Sequence, residues 1–343
     1  MPRPRSALRL IDVAERAGVS LATASRALAG RDGVSEQVAN HVRQVSQELG
    51  YVANLHARTL AGGSTSTVGL IVHQIDDPYF SEIASGVLKV AGDQDLMVQI
   101  CHSGRDPEKE LRHIRHLIAQ RVGVIIVAGS GYLDARLQSE AKTELHAFQE
   151  AGGRVAVIGR HFLSVDAVLP DNEPAGRVIT EHLLSLGHRR IAVAAGPELL
   201  TTVVDRLAGV ASALEVKGLS LGDLPVVQTD FTRDGGRSAA EQILREHPQT
   251  TAIIALNDAM AIGVLSTLRS HGVRVPDQMS VAGFDDVSVA ADLGPSLTTV
   301  RLPMAEMGQL ALTMALKARS SRPRRKATGH KLIVRDSTGP VRG

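Results

Sequence analysis

The sequence predicts a small all-α domain at the N-terminus, followed by a larger α/β core of two doubly wound parallel-sheet lobes. Three observations lead to this prediction. Short amphipathic segments separated by glycines fill the first 50 residues, a glycine- and serine-rich run follows at 62–66, and β-branched runs then alternate with amphipathic stretches. Continuous apolar runs are typical of parallel strands covered on both faces. At 343 residues the chain is also too long for one ordinary domain.

The stretch from 10 to 28 predicts two short helices joined by a glycine turn, which is a helix-turn-helix. Ile11, Ala14 and Ala17 fall on one face of the first helix, where a second helix can pack closely. Gly18 supplies the turn, because glycine adopts a left-handed backbone without steric cost. Ser20 is then placed to cap the following helix.

The second helix is predicted from Leu21 to about Ala29. Ala24 and Leu28 lie four residues apart and are expected to face the core. The remaining positions are available to the major groove of DNA. They are Leu21, Ala22, Thr23, Ser25 and Arg26.

A third helix completes the small domain. Ser35 can cap it, apolar residues recur at helical spacing from Val38 to Leu49, and Gly50 ends it. The predicted domains are therefore residues 1–52, a hinge and linker at 53–66, and the core at 67–343.

The core shows a βαβ rhythm from Thr67 onward. Strands are predicted at Val68–Val72, Met97–Cys101, Val124–Val127, Arg154–Ile158, Ile191–Ala195, Ala252–Ala255, Ser280–Ala282 and Lys331–Arg335. Helices are predicted at 81–91, 108–120, 173–186, 205–217, 234–246 and 259–271. Two successive sets of such units indicate two lobes with a cleft between them, and ligands of open parallel sheets bind beyond the carboxyl ends of the strands.

Charge and composition narrow the classes of function. The net charge is only +2, but eight arginines against five acidic residues give residues 1–60 a net +3, so any DNA affinity is local. The single cysteine, Cys101, is expected to be a small buried hydrophobe. No run of membrane length and no apolar leader segment are seen, which predicts a soluble, cytoplasmic protein without membrane partners.

An enzyme is a competing hypothesis for an α/β core of this kind. The sequence has no nucleophile elbow, no phosphate loop and no dinucleotide fingerprint, and it suggests no catalytic residue, metal site or cofactor. The acid pairs at 76–77 and 285–286 are expected to be solvated turn carboxylates. The basic run at 319–326 is expected to be a solvated connection before the last strand.

Short segments along almost the whole chain carry a specific resemblance through their order and spacing. They are Asp12–Ala14, Ala17–Ser20, Val34–Ser35, Leu49–Tyr51, Ala57–Leu60, Val68–Val72, Asp77–Phe80, Asp171–Asn172, Leu186–Ile191, Arg206–Gly209, Asn257–Ala261, Val275–Asp277, Gly283–Asp286 and Leu297–Val300. In these segments the chain resembles the LacI/GalR family of transcriptional regulators.

The resemblance implies a periplasmic-binding-protein-like core and a homodimer that binds a pseudo-palindromic, double-stranded DNA operator. It implies a repressor controlled by a small-molecule effector, a sugar or sugar derivative, bound between the lobes. Alternatives are a nucleobase or nucleoside effector, a partner protein, or a solute-binding receptor or enzyme on the same core. The presence of residues 1–60 and the lack of a signal peptide disfavour the receptor.

The resemblance also assigns DNA-binding residues. Leu21, Ala22 and Arg26 match base-reading positions, and Arg26 can donate a bidentate pair to guanine, although a phosphate contact is the alternative. In the hinge, Asn54 and Ala57 belong to a helix that folds on DNA, and Leu60 matches a leucine that wedges into the minor groove.

The implied ligand site lies in the cleft, where charged and amide groups make directed bonds to hydroxyls and aromatic rings cover apolar faces. Its predicted residues are Tyr79, Phe80, Arg160, Thr202, Arg206, Phe231, Asn257 and Asp285. The chain departs from the family at Gly159, where many relatives carry an aspartate that binds sugar hydroxyls.

Overall fold

A computed structural model describes residues 8–29, 32–51 and 67–341 of the chain. The chain divides into two compact units, Met1–Thr65 and Ser66–Gly343. The predicted hinge and linker at 53–66, with Asn54, Ala57 and Leu60, lies outside the described residues.

The N-terminal unit contains α1 (Leu10–Arg16), α2 (Leu21–Ala29) and α3 (Glu36–Leu49). Both predicted caps form, since Ser20 Oγ accepts from Thr23 N at 3.1 Å and Ser35 Oγ accepts from Val38 N at 3.4 Å. Gly18 has φ +65°, as the turn requires. The three helices enclose a core of small and β-branched side chains. These are Val13, Ala14, Ala17, Ala24, Ala27, Ala39, Val42 and Val45.

The expectation for Ile11 is wrong, because its side chain is 42% exposed while that of Val13 is fully buried. The buried face of α1 follows Leu10, Val13, Ala14 and Ala17, which is the i, i+3, i+4, i+7 pattern of an amphipathic helix. Ile11 is rotated away from that stripe.

The first lobe of the larger unit is a six-stranded parallel sheet in the order β11-β5-β4-β3-β1-β2. Its strands are β1 (Thr67–Val72), β2 (Met97–His102), β3 (Val124–Ala128), β4 (Arg154–Ile158), β5 (Asp166–Leu169) and β11 (Arg325–Ala327). Its helices are α4 (Pro78–Gly92), α5 (Pro107–Ala119), α6 (Ser139–Glu150) and α11 (Met304–Leu316). Apolar cores lie on both faces of this sheet, as the continuous apolar strands predict.

The second lobe repeats the arrangement in the order β12-β10-β9-β8-β6-β7, with only β12 antiparallel to its neighbour. Its strands are β6 (Ile191–Ala195), β7 (Val226–Gln228), β8 (Ala252–Ala255), β9 (Ser280–Asp285), β10 (Thr298–Arg301) and β12 (Lys331–Ile333). Its helices are α7 (Asn172–Ser185), α8 (Thr201–Glu215), α9 (Arg233–Glu246) and α10 (Asp258–Ser270). Single 3₁₀ turns occur at Ala135–Gln138, Leu221–Asp223 and Ser288–Ala291.

The chain passes between the lobes after β5, after β10 and after β11. The sequence does not predict α6, α11 or four strands, β5, β7, β10 and β11. Those four strands are only three or four residues long, which is too short for a clear alternating pattern. Helix α11 is apolar on most of its surface, so it lacks a clear helical period.

The basic run at 319–326 is solvent-exposed before the last strand, as the sequence predicts, and only Arg324 in it is half-buried. Its last residues enter β11, which pairs with β5. Arg324 forms an ion pair with Asp166, and Arg319 Nη2 lies 2.9 Å from Glu150 Oε1. Acidic partners on the first lobe therefore hold this segment.

Cys101 is buried as predicted, and burial raises the pKa of its thiol.

Candidate functional site

A cavity lies between the two lobes, where the carboxyl ends of both parallel sheets meet. Seven of the eight predicted ligand-binding residues line it. They are Tyr79, Phe80, Thr202, Arg206, Phe231, Asn257 and Asp285. The lining also includes residues that the sequence analysis missed, namely His73, Asp77, Arg105, Gly129, Ser130 and Leu200. His73 and Gly129 directly follow β1 and β3, so the rule that ligands bind beyond strand ends could have found them.

Arg206, on α8, is the centre of the second-lobe wall. Its side chain is 2% exposed, and all its nitrogens donate to protein acceptors: Nη2 to Asp285 Oδ1 at 2.8 Å, Nε to Asn172 Oδ1 at 2.9 Å, and Nη1 to the Leu256 carbonyl. The guanidinium also lies 4.6 Å from the centroid of the Phe284 ring. A buried charge paired this fully is held in one orientation.

Asp285 and Asp286 are not the solvated turn carboxylates that the sequence predicts. Asp285 is 3% exposed, and burial raises its pKa although Arg206 opposes that change. Asp286 forms ion pairs with Arg301 at 2.7 Å and Arg335 at 2.6 Å. Both aspartates have positive φ, +106° and +57°, a backbone conformation that side chains other than glycine adopt at a cost. Both carboxylates at the end of β9 are therefore held in fixed positions by their ion pairs.

Asn257 joins the start of α10 to the aromatic wall. Its Oδ1 accepts from Met260 N at 2.8 Å and caps the helix, while its Nδ2 donates to the Phe231 carbonyl at 3.3 Å. The side chain is 2% exposed, so this asparagine positions Phe231 as well as lining the cavity.

The first-lobe wall begins with the N-terminus of α4. Asp77 caps that helix by accepting from Tyr79 N at 3.1 Å, and the rings of Tyr79 and Phe80 meet edge to face at 5.0 Å. Burial, reinforced by the charge of Asp285, raises the pKa of Asp77 to about 6. Burial is also the main cause of the raised pKa of Tyr79.

Arg105 extends from the first lobe toward the second. Its Nη1 donates to Gln74 Oε1 at 2.6 Å, and its Nη2 lies 4.0 Å from Asp77 Oδ2. The guanidinium also stands 5.5 Å from the centroid of the Phe231 ring. Unlike Arg206, this arginine has few strong protein partners and keeps hydrogen-bonding capacity for another group.

Arg160, the eighth predicted ligand residue, is outside the cavity lining. Its guanidinium donates twice to Asp205 on α8, at 3.0 and 2.6 Å, and so joins the lobes. The preceding Gly159 has φ +111°, and a Cβ there would lie 2.1 Å from the Gly129 carbonyl oxygen. This backbone therefore cannot accommodate an aspartate side chain at position 159.

The lobes also touch through backbone and hydroxyl contacts near Arg160. Ser130 Oγ lies 3.1 Å from Thr201 Oγ1 and accepts from Thr202 N at 3.0 Å. Thr201 N donates to the Gly131 carbonyl at 2.9 Å.

Free space in the cavity is about 30 Å³, room for about two water molecules. A larger ligand therefore requires the lobes or side chains to move.

The second predicted site lies on α2 of the N-terminal unit. Leu21 is 49% exposed, Ala22 and Arg26 are exposed, and Thr23 and Ser25 are half-buried. Arg26 Nε donates weakly to the Ala22 carbonyl, at 3.3 Å, so its guanidinium keeps most of its donors.

In the described part of the chain, no helix has the length and apolar character needed to cross a membrane. In the same residues, no group of three or more histidine, cysteine or acidic side chains is arranged to hold a metal ion.

Comparison with known proteins gives matches at both ends of the chain. Residues 9–54 match the family described as "Bacterial regulatory proteins, lacI family", and residues 180–338 match "Periplasmic binding protein-like domain". The HTH-type transcriptional regulator DegA of Bacillus subtilis (strain 168) is 32% identical over 343 residues, 97% of this chain and 98% of that protein.

Solved structures show the same similarity. A complex of the transcriptional regulator CelR with cellobiose superposes with a TM-score of 0.71 at 30% identity, covering 96% of this chain and 99% of that one. The lac repressor dimer bound to operator and the anti-inducer ONPF gives a TM-score of 0.78 at 25% identity, covering 97% and 100%.

Proposed function

This chain belongs to the LacI family of bacterial regulatory proteins, and we propose that it is a repressor whose operator affinity is controlled by a small ligand, a sugar or sugar derivative, bound between its lobes. As a family member it is a DNA-binding transcriptional regulator. The observation that carries the proposed ligand class is the cleft wall, where Arg206, Asn257 and Asp285 stand beside the Phe231 ring. Directed polar groups next to an aromatic face suit a hydroxylated ring.

The proposed DNA contacts follow the exposed face of α2. Arg26 reads guanine, and Leu21 and Ala22 make apolar contacts to base edges in the major groove. Asn54, Ala57 and Leu60 are proposed to form the hinge contacts, with Leu60 in the minor groove. Cytoplasmic operation on a pseudo-palindromic operator is part of the same proposal.

We propose a homodimer because two-fold symmetric proteins match pseudo-palindromic operators. An exposed apolar face on the first lobe supports it. Met97 and Ile100 on the edge strand β2 are 65% and 39% exposed, and Leu88 on α4 is 48% exposed. A second copy of the chain would remove these side chains from water.

The proposed coupling is a change in the relative position of the lobes. A ligand shifts affinity at a second site only by its difference in affinity between two states, and coupling of a few kcal/mol is enough for regulation. The inter-lobe contacts at Arg160, Ser130 and Thr201 are those that such a change would break or re-form.

The experiment selects an operator from a random-sequence duplex library with the full chain and then measures its affinity by fluorescence anisotropy, with and without a panel of sugars. We expect a selected palindrome whose affinity changes in the presence of one sugar class. Arg26→Ala should weaken binding about 10- to 100-fold and relax preference at one base pair, while Arg112→Ala on the first lobe should have no effect. Removing residues 1–61 should abolish operator binding and leave sugar binding intact.

The alternatives give different results. A uniform loss across all duplex sequences in Arg26→Ala would make Arg26 a phosphate contact. A selection that yields no preferred sequence would contradict the proposed repressor.

A further inference from the structure

Next to the first-lobe wall lies a group of buried polar side chains, of which only His73 lines the cavity. We call it the inner polar cluster: His73, Glu110, Tyr132, Gln138 and His161. Their side chains come from the ends of β1, β3 and β4, from α5 and from the 3₁₀ turn at Ala135–Gln138. Each residue is 5% exposed or less.

The cluster is continuous with the cleft. His73 lines the cavity, and its ring centroid lies 5.8 Å from that of Phe80 and 6.4 Å from that of Tyr132. Gly129 also lines the cavity, and its carbonyl is within 3.0 Å of His161 Nε2. His73 therefore belongs to both the cavity lining and the cluster, while the other four members do not line the cavity.

The hydrogen bonds of the cluster can be assigned from chemistry. A carbonyl oxygen only accepts, so His161 Nε2 donates to Gly129. Burial lowers the pKa of His161, which keeps the ring neutral, so its Nδ1 accepts from Gln138 Nε2 at 3.1 Å. Gln138 Oε1 is then left as a free acceptor.

Four atoms of the cluster have no hydrogen-bond partner: His73 Nε2, Glu110 Oε2, Tyr132 Oη and Gln138 Oε1. His73 Nε2 and Glu110 Oε2 are 3.8 Å apart, too far for a hydrogen bond. In the described part of the chain only one other buried side-chain atom is in this condition, Asp286 Oδ1, and that atom has an ion pair with Arg335. Folded proteins leave few such atoms unpaired, and here they occur together beside a cavity.

The unpaired atoms define what the cluster can bind. The oxygens of a Glu110 carboxylate and of the Gln138 amide only accept, whereas Tyr132 Oη and His73 Nε2 can accept or donate. Burial lowers the pKa of His73 although the neighbouring Glu110 opposes that change, so the His73 ring carries no positive charge near neutral pH. No arginine or lysine of the described residues forms an ion pair with Glu110, and the nearest cleft cation, Arg105, is bound to Gln74 and close to Asp77. The cluster therefore favours hydrogen-bond donors and disfavours negative charge.

We infer that the inner polar cluster is a specificity subsite of the cleft: it receives an uncharged, hydrogen-bond-donating end of the effector, such as a hydroxyl or hydroxymethyl group, and rejects a carboxylate or phosphate there. This inference rests on the proposed function and restricts it to neutral sugars or sugar alcohols at that end. His73 is the one member of the cluster that lines the cavity, so it is the side chain that must move to admit the group.

The test uses the full chain and the variant Glu110→Gln, which keeps the size of the side chain and replaces a carboxylate oxygen with a donor. Glu108→Gln, an exposed residue on the same helix, is the matched control. The probes are glucose and cellobiose, with gluconate, glucuronate, cellobionate and glucose 6-phosphate as counterparts that carry charge at one end or the other. Affinities are measured by isothermal titration calorimetry, and ligand-free stability by thermal unfolding.

We expect the unmodified chain to bind a neutral sugar at least about tenfold more tightly than the counterpart charged at the inserted end. Glu110→Gln should weaken the binding of the neutral sugar about tenfold and reduce the preference for it over the charged counterpart. The stability of the ligand-free protein should be unchanged or higher, because an unpaired buried carboxylate has been removed. Glu108→Gln should change neither property.

The failures are distinguishable. Equal binding of neutral and charged probes, or unchanged affinities in a folded Glu110→Gln protein, would overturn the subsite while leaving the proposed function intact. Loss of ligand-free stability in that variant with unchanged affinities would make the cluster purely structural. If the unmodified chain binds no sugar, the proposed effector class fails, and the subsite inference fails with it.

Discussion

The two walls of the cleft differ although the two lobes share one strand order. On the second lobe, Arg206, Asp285 and Asn257 are bonded to one another or to backbone, and none of them has a buried polar atom without a partner. On the first lobe, Arg105 makes one hydrogen bond and one long ion pair, and four buried polar atoms of the inner polar cluster, one of them on His73, have no hydrogen-bond partner. The polar groups of the second wall are therefore held in place by protein partners. The first wall keeps unpaired polar atoms that a ligand could bind.

The largest expected effect comes from Arg206→Met. Removing the guanidinium leaves Asp285 buried without its cation and Asn172 without a donor, so the free energy of unfolding should fall by about 3–5 kcal/mol. Arg105→Met is the matched change on the opposite wall and should cost about 1 kcal/mol, because few bonds are lost. Urea denaturation of both variants measures the difference. Equal losses would mean that the walls are equally prearranged.

A smaller effect is expected from the ion pair that joins the walls. Arg160 and Asp205 side chains are 36% and 23% exposed, so a double-mutant cycle with alanine should give a coupling free energy of about 0.5–1 kcal/mol. Both single variants should bind the effector faster in stopped-flow experiments, since the lobes separate more readily. Arg177→Ala breaks an exposed pair within α7 and serves as the control. Unchanged association rates in Arg160→Ala would show that this pair does not limit access to the cleft.

The smallest effect concerns the pH dependence of the first wall. Burial raises the pKa of Asp77 to about 6, so the folded protein disfavours its charged form. This group therefore contributes stability that is fully present below pH 4 and is lost as the pH rises through 6. Asp77→Asn keeps the cap on α4, and we expect its Tm to exceed that of the unmodified chain by about 1–2 °C at pH 7.5, with the difference disappearing toward pH 4.

Differential scanning calorimetry from pH 4 to 7.5 checks this prediction. Asp76→Asn, one position earlier and exposed, is the control and should show no such pH-dependent difference. A Tm difference for Asp77→Asn that stays constant over the whole range would show that Asp77 does not titrate there.

The sequence predicts the second wall better than the first, and the reason is physical. Arg206, Asn257 and Asp285 lie in family-like segments, and directed polar groups at the ends of strands are recognisable one residue at a time. The inner polar cluster joins Glu110 on α5 to His161 after β4, about 50 residues apart in the chain. Neither residue is unusual in its own segment of the sequence. Their role is visible only once the fold buries them in one cluster.

Local sequence determined the helices of the N-terminal unit, most strands of both lobes and the exposed positions of α2, because these depend on periodicity, caps and turns over a few residues. The tertiary structure alone decided that Arg160 pairs with Asp205 across the lobes, that the side chains of Asp285 and Asp286 are buried, and that four buried polar atoms of the inner polar cluster are left unpaired. Those properties depend on the distances between segments that are remote in the chain and on how far packing excludes water from them. Residue types alone specify neither the distances nor the burial.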